Sequence, residues 1–110
     1  MSTWIRQGVR GIERLCPEAK EGFRKIGGLF RRHGRDRYIT SGDEGTHIEE
    51  SYHYSNRAWD QRIDPVVTAD LIRQDLNSCP KHGENSDFDV VDKNSDGTPK
   101  NCVHIEFDPK

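Results

Sequence analysis

Three side chains in this sequence, His53, Asp60 and His104, are of types that could share one metal ion. Zinc takes imidazole nitrogen and carboxylate oxygen, and a site that does chemistry leaves one position open for water. Two histidines and an aspartate would make such a set. His104 lies in a stretch where Cys102, His104 and Glu106 alternate with Val103, Ile105 and Phe107. In a strand the first three share one face and the apolar three share the other. Asp60 falls in a similar run, with Ala58, Asp60 and Arg62 on one face and Arg57, Trp59 and Gln61 on the other. A carboxylate facing a small sheet is costly unless it meets a cation. His53 sits just ahead of that run, at the end of a polar loop from Ser41 to about Ser55 that also holds His47. Loops this long in small domains are usually functional. The spacing alone is also met by hydrogen-bonded surface polar groups.

The elements that must position these groups follow from periodicity. Leu15, Ala19, Phe23, Ile26 and Phe30 recur at helical spacing. Pro17 and Glu18 suit a helix start, while Arg31, Arg32 and Gly34 suit its end, which predicts a helix over Pro17 to His33. Tyr38-Ile39-Thr40 reads as a short strand, and Arg57 to Arg62 as a second closed by Pro65. Thr68 can cap a short helix over Ala69 to Leu76, with Leu71, Ile72 and Leu76 inward. Phe88 to Val91 and Cys102 to Phe107 are the last two strands, separated by a polar, turn-rich insert from Asp92 to Lys100. The expected class is α+β: a small, mostly antiparallel sheet with one long N-terminal helix and one short one. Residues 1–15 read as a loosely ordered arm or short lead-in, and residues 16–110 as the domain.

Composition sets limits on function. A chain of 110 residues suits one domain, and 31% hydrophobic against 33% charged residues leaves a lean core. A bound metal is one staple for such a domain. A net charge of -2 gives no global field favouring nucleic acid or an anionic membrane. The local basic run Arg31, Arg32, His33, Arg35 and Arg37 reads as a solvated helix end. No segment is long and apolar enough to span a bilayer, and the first residues lack the apolar stretch of a secretory signal. The expectation is synthesis in a cytoplasm. Cys16, Cys79 and Cys102, odd in number and far apart, argue against a disulfide framework.

The run Ile39-Thr40-Ser41-Gly42, then Gly45-x-His47, then Ser51-x-His53-Tyr54-x-x-Arg57-Ala58-x-Asp60 resembles the S-x-H-x-x-G-x-A-x-D signature of the zinc D-alanyl-D-alanine carboxypeptidase and hedgehog superfamily. Compact phage-type peptidoglycan peptidases are the most similar, and Phe88-Asp89-Val90-Val91 and His104-Ile105-Glu106-Phe107-Asp108-Pro109 resemble their closing strands. The resemblance runs from about Cys16 to Lys110. It implies a Zn2+ cofactor held by His53, Asp60 and His104, with His47 near the metal touching substrate or the carbonyl oxygen. It implies a peptidoglycan peptide as substrate, cut at an amide near D-alanine or in a cross-link. It also implies a monomer without nucleic-acid or membrane partners, acting on the cell wall after release or within a phage particle. Three positions depart from the pattern. Asn56 stands where the family has Gly, although Asn tolerates a left-handed backbone. Asn101 stands three before His104, and Cys102 stands where a first histidine of a pair would be. The acidic residue matching the family's catalytic glutamate is then Asp92, with Glu106 the second candidate. Such a peptidase needs a carboxylate to move a proton to the leaving amine.

Three other readings stay open. Cys79-x-x-His82 with Cys102 and His104 would suit a closed structural zinc set. Asp92-x-Asn94-x-Asp96-Gly97 opens like a calcium loop, but its twelfth position is Val103, so a polar turn is the simpler reading; Asp43 and Glu44 are a weaker calcium candidate. Hedgehog-type domains keep zinc while acting as signals, so a zinc-bearing binding module without strong catalysis is the third.

Overall fold

The computed structural model describes residues 2–43, 56–77, 87–94 and 96–108. The fold is α+β, with strand β1 (Thr3–Ile5), helix α1 (Pro17–Arg32), strands β2 (Arg37–Ser41) and β3 (Ala58–Arg62), helix α2 (Ala69–Asn77), and strands β4 (Phe88–Lys93) and β5 (Pro99–Phe107). The five strands form one sheet in the order β1-β2-β3-β5-β4; β1 runs parallel to β2 and every other pair is antiparallel.

Helix α1 forms where the 3.6-residue pattern places it. Its core-facing residues Ala19, Ile26, Leu29 and Phe30 are buried. It ends because Gly34 takes a φ of 66°, which lets Gly34 N–H donate to Arg31 O and Arg35 N–H donate to Phe30 O, closing off the last carbonyls. Thr68 caps α2 as expected, its hydroxyl accepting from Leu71 N–H at 3.2 Å. Both helices contribute to one core with Ile39, Trp59, Phe88, Val90, Val103, Ile105 and Phe107. Strand alternation therefore turns the apolar side chains of the sheet towards the helices. It turns Tyr38, Thr40, Ala58, Asp60, Arg62, Cys102, His104, Glu106, Asp89 and Val91 to the opposite face.

Two glycines of α1 illustrate how tight this packing is. A Cβ on Gly22 would lie 2.6 Å from Phe88 Cζ, and that ring is buried and packed against Phe107. A Cβ on Gly28 would meet only the ends of two flexible arginine side chains, Arg32 at 3.7 Å and Arg31 at 4.0 Å. Alanine gains up to about 1 kcal/mol over glycine in a helix interior, whereas forcing extra carbon into a packed core costs about 1–3 kcal/mol. Gly22→Ala is thus expected to lower the thermal midpoint and Gly28→Ala to raise it, as followed by circular dichroism.

The loop after β3 is fixed by Asp64. Its Oδ2 accepts from Val66 and Val67 N–H, each at 2.9 Å, and Arg35 Nη2 donates to Oδ1 at 3.1 Å. Burial pushes this carboxyl up, but the Arg35 guanidinium and the two N–H donors outweigh it and hold it below the usual carboxylate range. A carboxyl depressed in the folded state adds stability above its unfolded pKa of about 3.9, and that stability is lost as pH falls through and below it. Asp64→Asn is expected to cost roughly 1.5–3 kcal/mol at pH 7. The gap from the parent in urea unfolding should shrink as pH falls below about 3.9, where the unfolded parent takes up a proton that the folded carboxyl resists.

The first fifteen residues are more than a loose lead-in. β1 adds a parallel edge strand, residues Ile12–Arg14 form a 3-10 turn, and Leu15 is buried. Residues 10–16 also hold Asp43 and Asn56. Asp43 N–H donates to Arg10 O at 2.7 Å, Arg14 Nη2 donates to Asp43 Oδ2 at 2.8 Å, and Cys16 N–H donates to Asn56 O at 2.8 Å. Asn56 itself has a φ of 58°, a left-handed conformation that asparagine tolerates better than most residues.

The closing hairpin is longer than the sequence pattern suggests. β4 continues through Lys93 and β5 begins at Pro99, so Asp92 and Lys100 belong to strands rather than to a turn-rich insert. The turn itself is polar and self-satisfied. Asn94 N–H donates to Thr98 O, and Thr98 N–H donates to Asp96 Oδ1. These bonds from Thr98 hold the Asp96 carboxyl below its ordinary range.

Candidate metal centre

Asp60 and His104 are directly opposed in the β3–β5 ladder. Both point to the face away from the helices, because Trp59 and Gln61 on one strand and Val103 and Ile105 on the other fill the core side. His104 Nδ1 lies 2.8 Å from Asp60 Oδ1, and His104 Nε2 lies 3.0 Å from Glu106 Oε1. The three side chains are 18%, 26% and 22% exposed for His104, Asp60 and Glu106, dry enough to strengthen charge interactions yet open to a small ligand.

This arrangement has a specific electrostatic property. A neutral imidazole has one N–H, so it can donate to only one of the two carboxylates. Both ring nitrogens are well placed only when a cation, a proton or a metal ion, is shared with a carboxylate. The donor set, one imidazole nitrogen beside one carboxylate oxygen, suits zinc. Two donors on one tetrahedral zinc stand about 3.3 Å apart, given bonds of roughly 2.0–2.1 Å. The observed 2.8 Å between Nδ1 and Oδ1 is within half an ångström of that. The remaining contact, Nε2 to Glu106, has the form of a carboxylate that orients a ligating histidine through its second nitrogen. At 2.8 Å the pair makes a hydrogen bond, and the same two side chains are of the types that could fill two positions of a zinc site.

The other sequence-derived candidates are distributed as follows. His47 and His53 lie outside the described residues. Asp92 sits on β4, half-buried, inside a break of register between Val91, which faces His104, and Lys93, which faces Pro99. Among the members of the closed Cys/His alternative, Cys79 and His82 lie outside the described residues. Cys102 is a free thiol whose Sγ accepts from the Thr40 hydroxyl at 3.4 Å, and Cys16 is also free. As for calcium, Asp43 is committed to Arg14 and Asp96 to Thr98, while Glu44 lies outside the described residues.

One feature of this face was not legible from the ligand motif. Asp89 opposes Glu106 across β4–β5, and one carboxylate oxygen each from Asp89, Glu106 and Asp108 lies within 4.8 Å of the others. The signal was the same alternation that exposes His104, since Asp89 is flanked by the buried Phe88 and Val90. These carboxylates make the surroundings of His104 negative.

Neither protein-family models, nor curated proteins, nor solved structures match this chain. Among the described residues no helix is long and apolar enough to cross a membrane.

Proposed function

We propose that this chain is a zinc-dependent, peptidase-like domain that hydrolyses amide bonds of peptidoglycan peptides, of D-alanyl carboxypeptidase or endopeptidase type. The single observation that carries the proposal is the cross-strand pairing of Asp60 with His104, with Oδ1 and Nδ1 at 2.8 Å on the face away from the core. Two residues 44 apart in sequence, named together by the resemblance, are neighbours in space with the donor atoms zinc requires. The left-handed Asn56 at the family's glycine position supports the same reading.

In this proposal His53, Asp60 and His104 hold the metal. When bound, zinc supplies a Lewis acid that polarises the scissile carbonyl and acidifies water. The chain's own residues do the rest. β3 and β5 fix Asp60 and His104 on rigid neighbouring strands, which sets their separation before any ligand arrives. Glu106, whose Oε1 lies 3.0 Å from His104 Nε2, takes an orienting part in this reading rather than that of proton shuttle. Asp92, matched by the resemblance, is the carboxylate left to take the proton from water and deliver it to the leaving amine. His47 is assigned to the substrate side of the site by resemblance alone.

The test is muropeptide release from purified peptidoglycan by the chain loaded with one equivalent of zinc, against the same chain stripped by chelator. Release that depends on zinc is expected. Zinc bound stoichiometrically with no release would replace hydrolysis by a zinc-bearing binding module of the same fold, and no zinc uptake would remove both readings.

A further inference from the structure

The basic run at the end of α1 is not uniformly solvated. Arg31, Arg32 and His33 are exposed, but Arg37, at the start of β2, is only 1% exposed. Strand alternation explains this, since Arg37 shares the core face with Ile39. Its Nε donates to Gln61 Oε1 at 3.1 Å and its Nη1 to Phe23 O at 2.7 Å, while the guanidinium carbon lies 3.9 Å from the centre of the Phe23 ring. Among the described residues no carboxylate pairs with it, and its buried Nη2 has no hydrogen-bond partner. Burial alone pushes this guanidinium down to about 9. A buried cation without a counter-charge is among the most expensive arrangements a fold can carry.

The same guanidinium lines a cavity of about 360 Å³ between α1 and the start of β1 and β2. That size falls in the range of small-molecule sites. Arg24 and Arg31 of α1 line it as well, both exposed and, among the described residues, without an ion pair, while Phe23 and Phe30 supply apolar wall. Arg35, also on the wall, is already bound by Asp64. The approach of α1 is close because position 27 is glycine: a Cβ there would lie 3.2 Å from Arg37 Nη1. The cavity lies on the helix side of the sheet, whereas Asp60 and His104 face the other side, so this site is independent of the proposed metal centre.

We propose that this cavity is a binding site for a small phosphate-bearing molecule with an apolar portion. The phosphate would accept from Arg24 and Arg31 at the mouth, with the buried Arg37 guanidinium behind them as a fixed positive charge, and the apolar part would lie against Phe23 and Phe30. Three guanidinium groups that pair with no carboxylate among the described residues match the roughly two negative charges of a phosphate monoester better than the single charge of a carboxylate. Binding also brings a negative charge close to a buried cation that, among the described residues, has no carboxylate partner, which a neutral ligand cannot do.

The probe is phenyl phosphate, titrated into the full chain by calorimetry at fixed ionic strength, with benzoate and inorganic phosphate as comparison probes. Saturable one-to-one binding is expected, at least tenfold tighter for phenyl phosphate than for benzoate and weaker for inorganic phosphate than for phenyl phosphate. The exposed pair Arg24→Gln and Arg31→Gln, which leaves the buried Arg37 in place, should fold and bind phenyl phosphate at least tenfold more weakly. Arg37→Lys, if it folds, should lose binding further. Absence of saturable binding, or equal affinity in the parent and the Arg24/Arg31 double variant, would overturn the proposal. So would equal displacement by chloride at the same ionic strength, which marks mere screening of surface charge.

Discussion

His104→Ala is expected to abolish stoichiometric zinc binding, and it is the change with the largest effect on the metal. Zinc held by a full set of protein ligands contributes on the order of 10–16 kcal/mol of binding free energy. Removing one of three ligands should forfeit about a third of it, roughly 3–5 kcal/mol, which is a factor of about 10³ in affinity. Glu106→Gln should cost far less, about 10–100-fold, because that side chain touches the ligand's other nitrogen and not the ion. Elemental analysis after dialysis against a chelator of intermediate strength separates the two. The parent retains one zinc, Glu106→Gln retains a fraction, and His104→Ala retains none. Without metal, His104→Ala should unfold within about 1 kcal/mol of the parent, since it removes one partly exposed hydrogen-bonded group outside the hydrophobic core. With zinc at a hundred times its dissociation constant, the parent alone should gain about 2.7 kcal/mol. Equal zinc in the parent and His104→Ala would reject the site, and so would zinc in neither.

Much of this site can be read from the sequence because β5 has a strict period of two. Val103, Ile105 and Phe107 must be buried, so His104 and Glu106 must share the other face, and the structure has them there. What no single strand reveals is its neighbour. That Asp60 meets His104 depends on β5 inserting between β3 and β4, a strand order that is not the chain order. Only the family resemblance linked the two residues beforehand. The N-terminal strand escaped for a different reason. Thr3-Trp4-Ile5 are good strand formers, but three residues at a sheet edge with every side chain exposed leave no apolar alternation to detect. Arg37 escaped because a cluster of arginines after a helix usually marks solvent. The contrary signal was present two residues on, where Ile39 fixes the inward face of β2 and Arg37 has the same parity. Sequence periodicity thus located the face of each side chain, while burial of a charge and contact between distant strands required the packing of the whole sheet.

In the proposed mechanism Asp92 and Glu106 take different parts. Asp92→Asn is expected to lower kcat for muropeptide hydrolysis by about 10²–10⁴-fold with zinc content unchanged, the range typical for loss of a general acid–base group. Glu106→Gln, assayed with zinc in excess so that the site is full, should keep kcat within about tenfold, because glutamine can still accept a hydrogen bond from the His104 ring and only the charge behind it is lost. The physical distinction is what each carboxylate already touches. The Glu106 carboxylate already spends an oxygen on Nε2 at 3.0 Å and lies beside Asp89 and Asp108, a negative neighbourhood that anchors a ligand. Asp92 lies at the register break of β4, where the extra residues of β5 opposite it interrupt regular pairing. Such irregularities in a sheet recur next to active sites because they re-aim a side chain that alternation would otherwise direct elsewhere. A kcat lost in Glu106→Gln and retained in Asp92→Asn would exchange the two assignments, making Glu106 the proton shuttle and Asp92 a residue of the hairpin alone.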